Sequence, residues 1–135
     1  MPTGIDLSLS DDELDRRRDH ITEFIYETVD RAGADGAVIG LSGGIDSTTT
    51  AHLAVEALGS AQVHGLLMPS TVSDEENVSD AERVAMALGI PYDVFEIGPI
   101  VDAFLDTYPD GADDRLAAGN VRVRTRMVLD YFVAN

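Results

Sequence analysis

The chain has 135 residues, 44% of them hydrophobic, no cysteine, and a net charge of −16 set by 25 acidic residues against nine basic ones. That length and apolar share suit a single domain able to bury about two-thirds of its unfolded surface, and they exclude a disordered acidic tail. A surface this acidic argues against nucleic-acid binding, no stretch reaches the length of a membrane span, and the lack of cysteine rules out disulfides and thiolate metal ligands and fits a cytoplasmic protein.

Residues 1–10 lack a basic start and an apolar core, so no signal segment is expected. Ser10 and Glu13 then form a capping box, and Leu14, Ile21, Ile25 and Val29 mark an amphipathic helix to about residue 32. Arg16, Arg17 and Arg18 on its first turns either pair with nearby acids or form an anion site. Gly33 and Gly36 end this helix and lead to a strand, Ala37 to Leu41. A glycine loop, a helix over 47–58 and a second strand over 62–68, closed by Pro69, complete a βαβ unit.

Ser73 and Glu76 spell a second capping box ahead of Ala81, Val84, Ala85 and Leu88, a helix stopped by Gly89 and Pro91. A third strand follows from Tyr92 to Ile97. A Pro-Asp-Gly turn between 108 and 114 introduces a last helix of about 20 residues, or about 30 Å. Strands alternating with helices predict an α/β fold: a Rossmann-like parallel sheet with flanking helices, right-handed crossovers and ligands at the carboxyl ends of the strands. Neither an internal repeat nor a low-complexity segment is visible.

The loop at that edge reads Gly40-Leu41-Ser42-Gly43-Gly44-Ile45-Asp46-Ser47. Glycines let the backbone bend and wrap successive N–H groups around an anion, while the following helix aims its positive end at the same place. Ser42 and Ser47 add hydroxyl donors, and Asp46 adds a carboxylate suited to Mg2+ beside a polyphosphate. A Walker A loop is excluded, because it needs a lysine and the chain has none. Gly40 to Gly44 also satisfies the G-x-S-x-G pattern, but that nucleophile needs a later acid and then a histidine, and no histidine follows His64. His52 and His64 have no partner at metal-ligand spacing and read as structural. Asp74, Glu75 and Glu76 are either helix-start acids or a carboxylate cluster.

In the last helix, Gly119-Asn120-Val121-Arg122-Val123-Arg124-Thr125-Arg126-Met127 holds three of the nine arginines. Their alternate spacing spreads them around the helix, so they cannot form one solvated stripe, and at least one is expected to face an anion or a partner subunit.

The Ser-Gly-Gly-x-Asp-Ser string resembles the PP-loop of ATP pyrophosphatases, whose fold is of the adenine nucleotide alpha hydrolase type. Together with Leu67-Met68-Pro69, Asp74-Glu75, Asp80-Ala81 and the arginine-bearing helix, it makes residues 15 to 135 similar to NAD+ synthetases. The resemblance implies ammonia-dependent amidation of deamido-NAD+ to NAD+ through an acyl-adenylate, with release of AMP and pyrophosphate. It implies ATP binding by Gly40, Leu41, Ser42, Gly43, Gly44, Ile45, Asp46 and Ser47, and Mg2+ binding by Asp46. It also implies a deamido-NAD+ contact by Arg124, with Asn120 and Arg126 behind it, at a homodimer interface built by the last helix. Residues 1–135 are then expected to form one ATP-binding domain, the N-terminal half of the full enzyme. Another PP-loop ATP pyrophosphatase and a truncated ATP-binding module are the alternatives. Met68-Pro69-Ser70-Thr71-Val72 departs from the Arg-Leu-Pro-Tyr-Gly type of strand end common in bacterial members, leaving the adenine and ribose contacts open. The acidic, lysine-free surface over an ordinary core is what a salt-rich cytoplasm would favour, where charge repulsion is screened within a few ångströms.

Overall fold

A computed structural model describes residues 4–71 and 75–135. In chain order the elements are α1 (Asp11–Arg31), β1 (Ala37–Gly40), α2 (Ile45–Leu58), β2 (Val63–Leu67), α3 (Glu75–Leu88), β3 (Tyr92–Val94), α4 (Gly98–Thr107), a helical turn α5 (Pro109–Ala112) and α6 (Arg115–Ala134). The strands make one parallel sheet in the order β1-β2-β3. In its register Ala37 faces Val63 and Gly65 faces Tyr92.

Alternation along the central strand builds two cores. Val63 and Leu67 point to one face, where Ala51 and Ala54 of α2 and Ala81 and Ala85 of α3 cover them together with Leu41 and Ile90. Small helix residues let α2 and α3 sit close on that face. Leu66 and Met68 point to the other, against Ile97 and Val101, with Val121, Leu129 and Val133 of α6 packed at the margin. Val63, Leu66, Leu67 and Ile97 are the largest fully buried side chains, each contributing about 1.5–3 kcal/mol of transfer free energy.

Ser10 closes its capping box as read from the sequence: the Ser10 amide donates to Glu13 Oε2 at 2.9 Å, and the Glu13 amide donates to Ser10 Oγ at 3.2 Å. α1 nevertheless has no buried residue. Arg18 ties it to α2 by donating from Nε to Glu56 at 2.7 Å, so this arginine takes the ion-pairing option. His64 likewise has a structural role, its Nε2 lying 2.7 Å from Asp93 Oδ2 on the neighbouring strand.

Three expectations change. β3 stops at Val94 rather than Ile97, although the amides of Phe95 and Ile97 still donate to the carbonyls of Leu67 and Pro69, at 2.8 and 2.9 Å. The segment from Gly98 to Thr107 is a helix that the sequence reading passed over; Pro99 sits at its start, and Val101 and Leu105 enter the second core. The loop ahead of α6 contains the helical turn Pro109–Ala112, after which Asp114 caps α6 by accepting from the amides of Leu116 and Ala117. Ser73 of the second capping box, and Asp74, lie outside the described residues.

Candidate functional site

β1 ends at Gly40 and hands the chain to the glycine loop at the carboxyl edge of the sheet. Gly43 takes the left-handed conformation, φ +80°, and a Cβ there would come within 2.8 Å of the Asn77 carbonyl oxygen. Only glycine fits that turn. Gly44 is the N-cap of α2 and has no side chain to accept from the first-turn amides, so these N–H groups face the loop with the helix dipole behind them. Ser42 and Ser47 face each other across the loop with their hydroxyls 3.1 Å apart, and the Ser42 amide donates to Ser47 Oγ at 3.2 Å. Asp46 is exposed in the first turn of α2. The eight loop residues from Gly40 to Ser47 are therefore one continuous strand–loop–helix unit with amides, hydroxyls and a carboxylate at a single edge.

Next to it opens a cavity of about 320 Å3, floored by Gly40, Leu41 and Ser42, walled by Leu67 to Ser70, and roofed by Arg126 and Asp130 of α6. Arg126 is anchored: its Nε donates to the Met68 carbonyl at 3.0 Å. Asp130 lies one helical turn further along the same face, yet the two do not form an ion pair. Asp130 Oδ1 is buried without a hydrogen-bond partner, and desolvation raises its carboxyl above the ordinary aspartate range.

The three polar residues singled out in α6 divide between two faces. Arg126 reaches the loop-side cavity, whereas Asn120 and Arg124, four residues apart, line a separate groove of about 350 Å3 between α4 and α6 with Ile100, Phe104 and Val128. Nothing packs where a Cβ would stand on Gly119. Glu75 lines an acidic groove of about 440 Å3 with Glu82, Glu96 and Asp102, but no group of three or more His, Asp or Glu side chains is arranged to hold a metal among the described residues. Asp130 escaped the sequence reading. Its signal was available: a lone carboxylate in the otherwise apolar run from Val128 to Val133, four residues after an arginine.

Known proteins share this sequence and fold. The chain is 58% identical over 131 residues to the NH3-dependent NAD+ synthetase of Halobacterium salinarum, a match covering 97% of this chain and 49% of that protein. It superposes on the NH3-dependent NAD synthetase of Campylobacter jejuni with a TM-score of 0.81 and 36% identity, covering 88% of this chain and 51% of the other. It superposes on the glutamine-dependent NAD+ synthetase of Acinetobacter baumannii, solved with ADP, with a TM-score of 0.86 and 30% identity, covering 97% and 25%. The chain thus spans about half the length of the curated relatives it matches. A model of the NAD synthase family matches residues 18–135, which contain both the glycine loop and α6, and the chain belongs to that family.

Proposed function

We propose that residues 1–135 form a single ATP-binding domain, the N-terminal half of an enzyme that amidates deamido-NAD+ (nicotinic acid adenine dinucleotide) to NAD+ with ammonia. The observation that carries this reading is the phosphate cradle: glycine-loop amides, two serine hydroxyls and the α2 N-terminus converge beside a cavity roofed by an anchored arginine. The activity named for the Halobacterium salinarum relative and the ADP in the Acinetobacter baumannii structure support it.

The chemistry asked of such a site is activation of a carboxylate. An oxygen of the nicotinate carboxylate attacks the α-phosphorus of ATP, the bond to the bridging oxygen breaks, and pyrophosphate leaves with an acyl-adenylate remaining. Ammonia then adds to the acyl carbon, AMP departs, and a proton is lost as the amide forms. Charge accumulates on the leaving pyrophosphate in the first step, so preorganised donors there lower the barrier most. The amides following Gly43, with the hydroxyls of Ser42 and Ser47, meet that charge, and Arg126 adds a fixed positive group at the cavity roof.

Mg2+ fits the donor set at the loop. This ion commonly binds through one or two carboxylates plus phosphate oxygens, and Asp46 is a single exposed carboxylate placed beside the cradle. When bound there it would supply positive charge to the polyphosphate.

Asn120 and Arg124 are assigned to deamido-NAD+ in the α4–α6 groove, whereas Arg126, expected beside them, lines the loop-side cavity and is assigned to the ATP phosphates. The same side of the protein exposes Phe104, Val128, Tyr131 and Phe132, which supports pairing with a second copy in a homodimer. No helix among the described residues is long and apolar enough to cross a membrane. The acidic, lysine-free composition supports a salt-rich cytoplasm as the enzyme's setting.

ATP–pyrophosphate exchange by the full-length protein, with and without deamido-NAD+, tests the reading. Exchange that requires deamido-NAD+, followed by NAD+ formation on adding ammonium, is expected. Exchange independent of deamido-NAD+ would point to another PP-loop enzyme, and ATP binding without exchange to a binding module.

A further inference from the structure

Asp130 places a carboxylate where the loop mechanism has no use for one. A Cβ built on Gly40 would stand 3.8 and 3.9 Å from its two oxygens, so the carboxylate hangs directly over the strand end that feeds the glycine loop. Its Oδ1 is buried without a partner, inside a cavity whose only other charged side chain among the described residues is Arg126. A buried acceptor left unpaired is costly, and a native site that keeps one has a use for it.

The surroundings narrow what can pair with it. Arg126 is one turn away but is held by the Met68 carbonyl and makes no ion pair with Asp130. A phosphate is excluded by like charge. A divalent cation is disfavoured by the positive charge of the neighbouring Arg126 guanidinium, which lines the same cavity. A neutral N–H or O–H donor on a molecule already in the cavity meets neither objection. Resting on the reading that the loop binds the ATP phosphates, that molecule is the nucleotide, whose adenosine carries such donors: the ribose hydroxyls and the adenine 6-amino group.

We infer that Asp130 is a specificity residue of the nucleotide site, accepting a hydrogen bond from an adenosine donor while Arg126 faces the acceptor groups of the same ligand. The pair stays apart in the free protein so that each can meet its complement. Carboxylates commonly read ribose hydroxyls in dinucleotide folds, and the same oxygen geometry serves an exocyclic amine equally well.

Titration calorimetry on the full-length protein distinguishes the sources. The probes are ATP, its 2′-deoxy and 3′-deoxy analogues, inosine triphosphate, which lacks the 6-amino group, and inorganic pyrophosphate. Wild-type protein should bind one of the three analogues about tenfold or more weakly than ATP. Asp130→Ala, which removes the acceptor, should lose a similar factor for ATP, bind that analogue as it binds ATP, and keep its pyrophosphate affinity. The analogue whose penalty disappears names the donor. Wild-type-like ATP affinity in Asp130→Ala, equal weakening toward ATP and pyrophosphate, or a penalty pattern unchanged by the substitution would each overturn the inference while leaving the ATP reading standing. Failure of the wild-type protein to bind either ATP or pyrophosphate would instead remove the ATP reading, and this one with it.

Discussion

Gly43 and Asn77 meet across the gap between the glycine loop and α3: a Cβ on residue 43 would lie 2.8 Å from the Asn77 carbonyl oxygen and 3.1 Å from Asp80 Cβ. The loop is shaped from outside by the first turns of α3 as well as from within by its own φ of +80°. Gly43→Ala should therefore cost about 1–2 kcal/mol from the left-handed backbone alone, with a further loss from the backbone contact. Pyrophosphate affinity should fall at least about tenfold as the amides are displaced. Urea unfolding and calorimetry measure the two effects, and an alanine variant unchanged in both would show that the turn is not held as described.

Asp46 contributes no hydrogen bond from its side chain to the described residues; it is only its main-chain carbonyl that accepts from Thr50, at 2.8 Å. Its replacement by asparagine should leave stability nearly unchanged while weakening Mg2+-dependent ATP binding by about tenfold or more. Metal-free ATP binding should change little. Equal ATP affinity in wild type and Asp46→Asn across a Mg2+ titration would take Asp46 out of the site.

The sheet, the glycine loop and the last helix were legible because each rests on local chemistry. Ser10 and Glu13 are three apart, Gly43 must turn, and Gln62 to Met68 is an apolar run closed by proline. α4 was missed because its start is a Gly-Pro pair, which reads as a turn and hides the helical spacing of Ile100, Val101, Phe104 and Leu105 behind it. The division of α6 was legible only in part. Alternate spacing says that Arg124 and Arg126 face different ways, but which face meets the loop depends on how α6 lies on β1, a long-range relationship that no local pattern encodes. Asp130 was missed for the same reason: its isolation in an apolar run is visible, its place above Gly40 is not.

Burial lifts the Asp130 carboxyl above its ordinary value of 3.8, so the folded protein holds that proton more tightly than the unfolded chain. The sign follows by linkage: the favourable contribution is complete below about pH 3.8 and is lost as pH rises through the folded-state value. Near neutral pH the ionised, unpartnered oxygen is a net cost in the ligand-free protein. Asp130→Asn should thus raise the melting temperature near pH 7, with the gain shrinking toward about pH 4. Thermal scans across that window, at constant high salt, check it. A gain that grows on acidification would contradict the assignment of burial as the cause.

A charge of −16 over 135 residues with no lysine leaves most carboxylates without a cation, since the ion pairs between described residues are few and exposed: Arg18 with Glu56, Arg31 with Glu27, Arg83 with Asp80. Repulsion among them should destabilise the fold at low ionic strength. Raising KCl from about 0.1 M to about 2 M shortens the Debye length from about 10 Å to below about 3 Å, and the melting temperature should rise with it. A flat or falling melting temperature would show that the acidic surface is not what limits stability.

Arg124 and Arg126 are two residues apart and serve different faces, which separates their expected defects. Arg126 is tied to the Met68 carbonyl at the roof of the loop-side cavity, so Arg126→Ala removes both a fixed charge beside the phosphates and a tether between α6 and the end of β2. Arg124 lines the α4–α6 groove with Asn120 and makes no contact with the loop-side cavity. In the full-length protein, Arg126→Ala should weaken ATP by about tenfold or more and lower the melting temperature, whereas Arg124→Ala should weaken deamido-NAD+ while leaving ATP affinity and stability within about twofold and about 0.5 kcal/mol of wild type. Calorimetry with each ligand alone resolves the two patterns. Equal losses for both ligands in both variants would mean that the two arginines act on one site, and that the groove holding Arg124 is not a separate subsite.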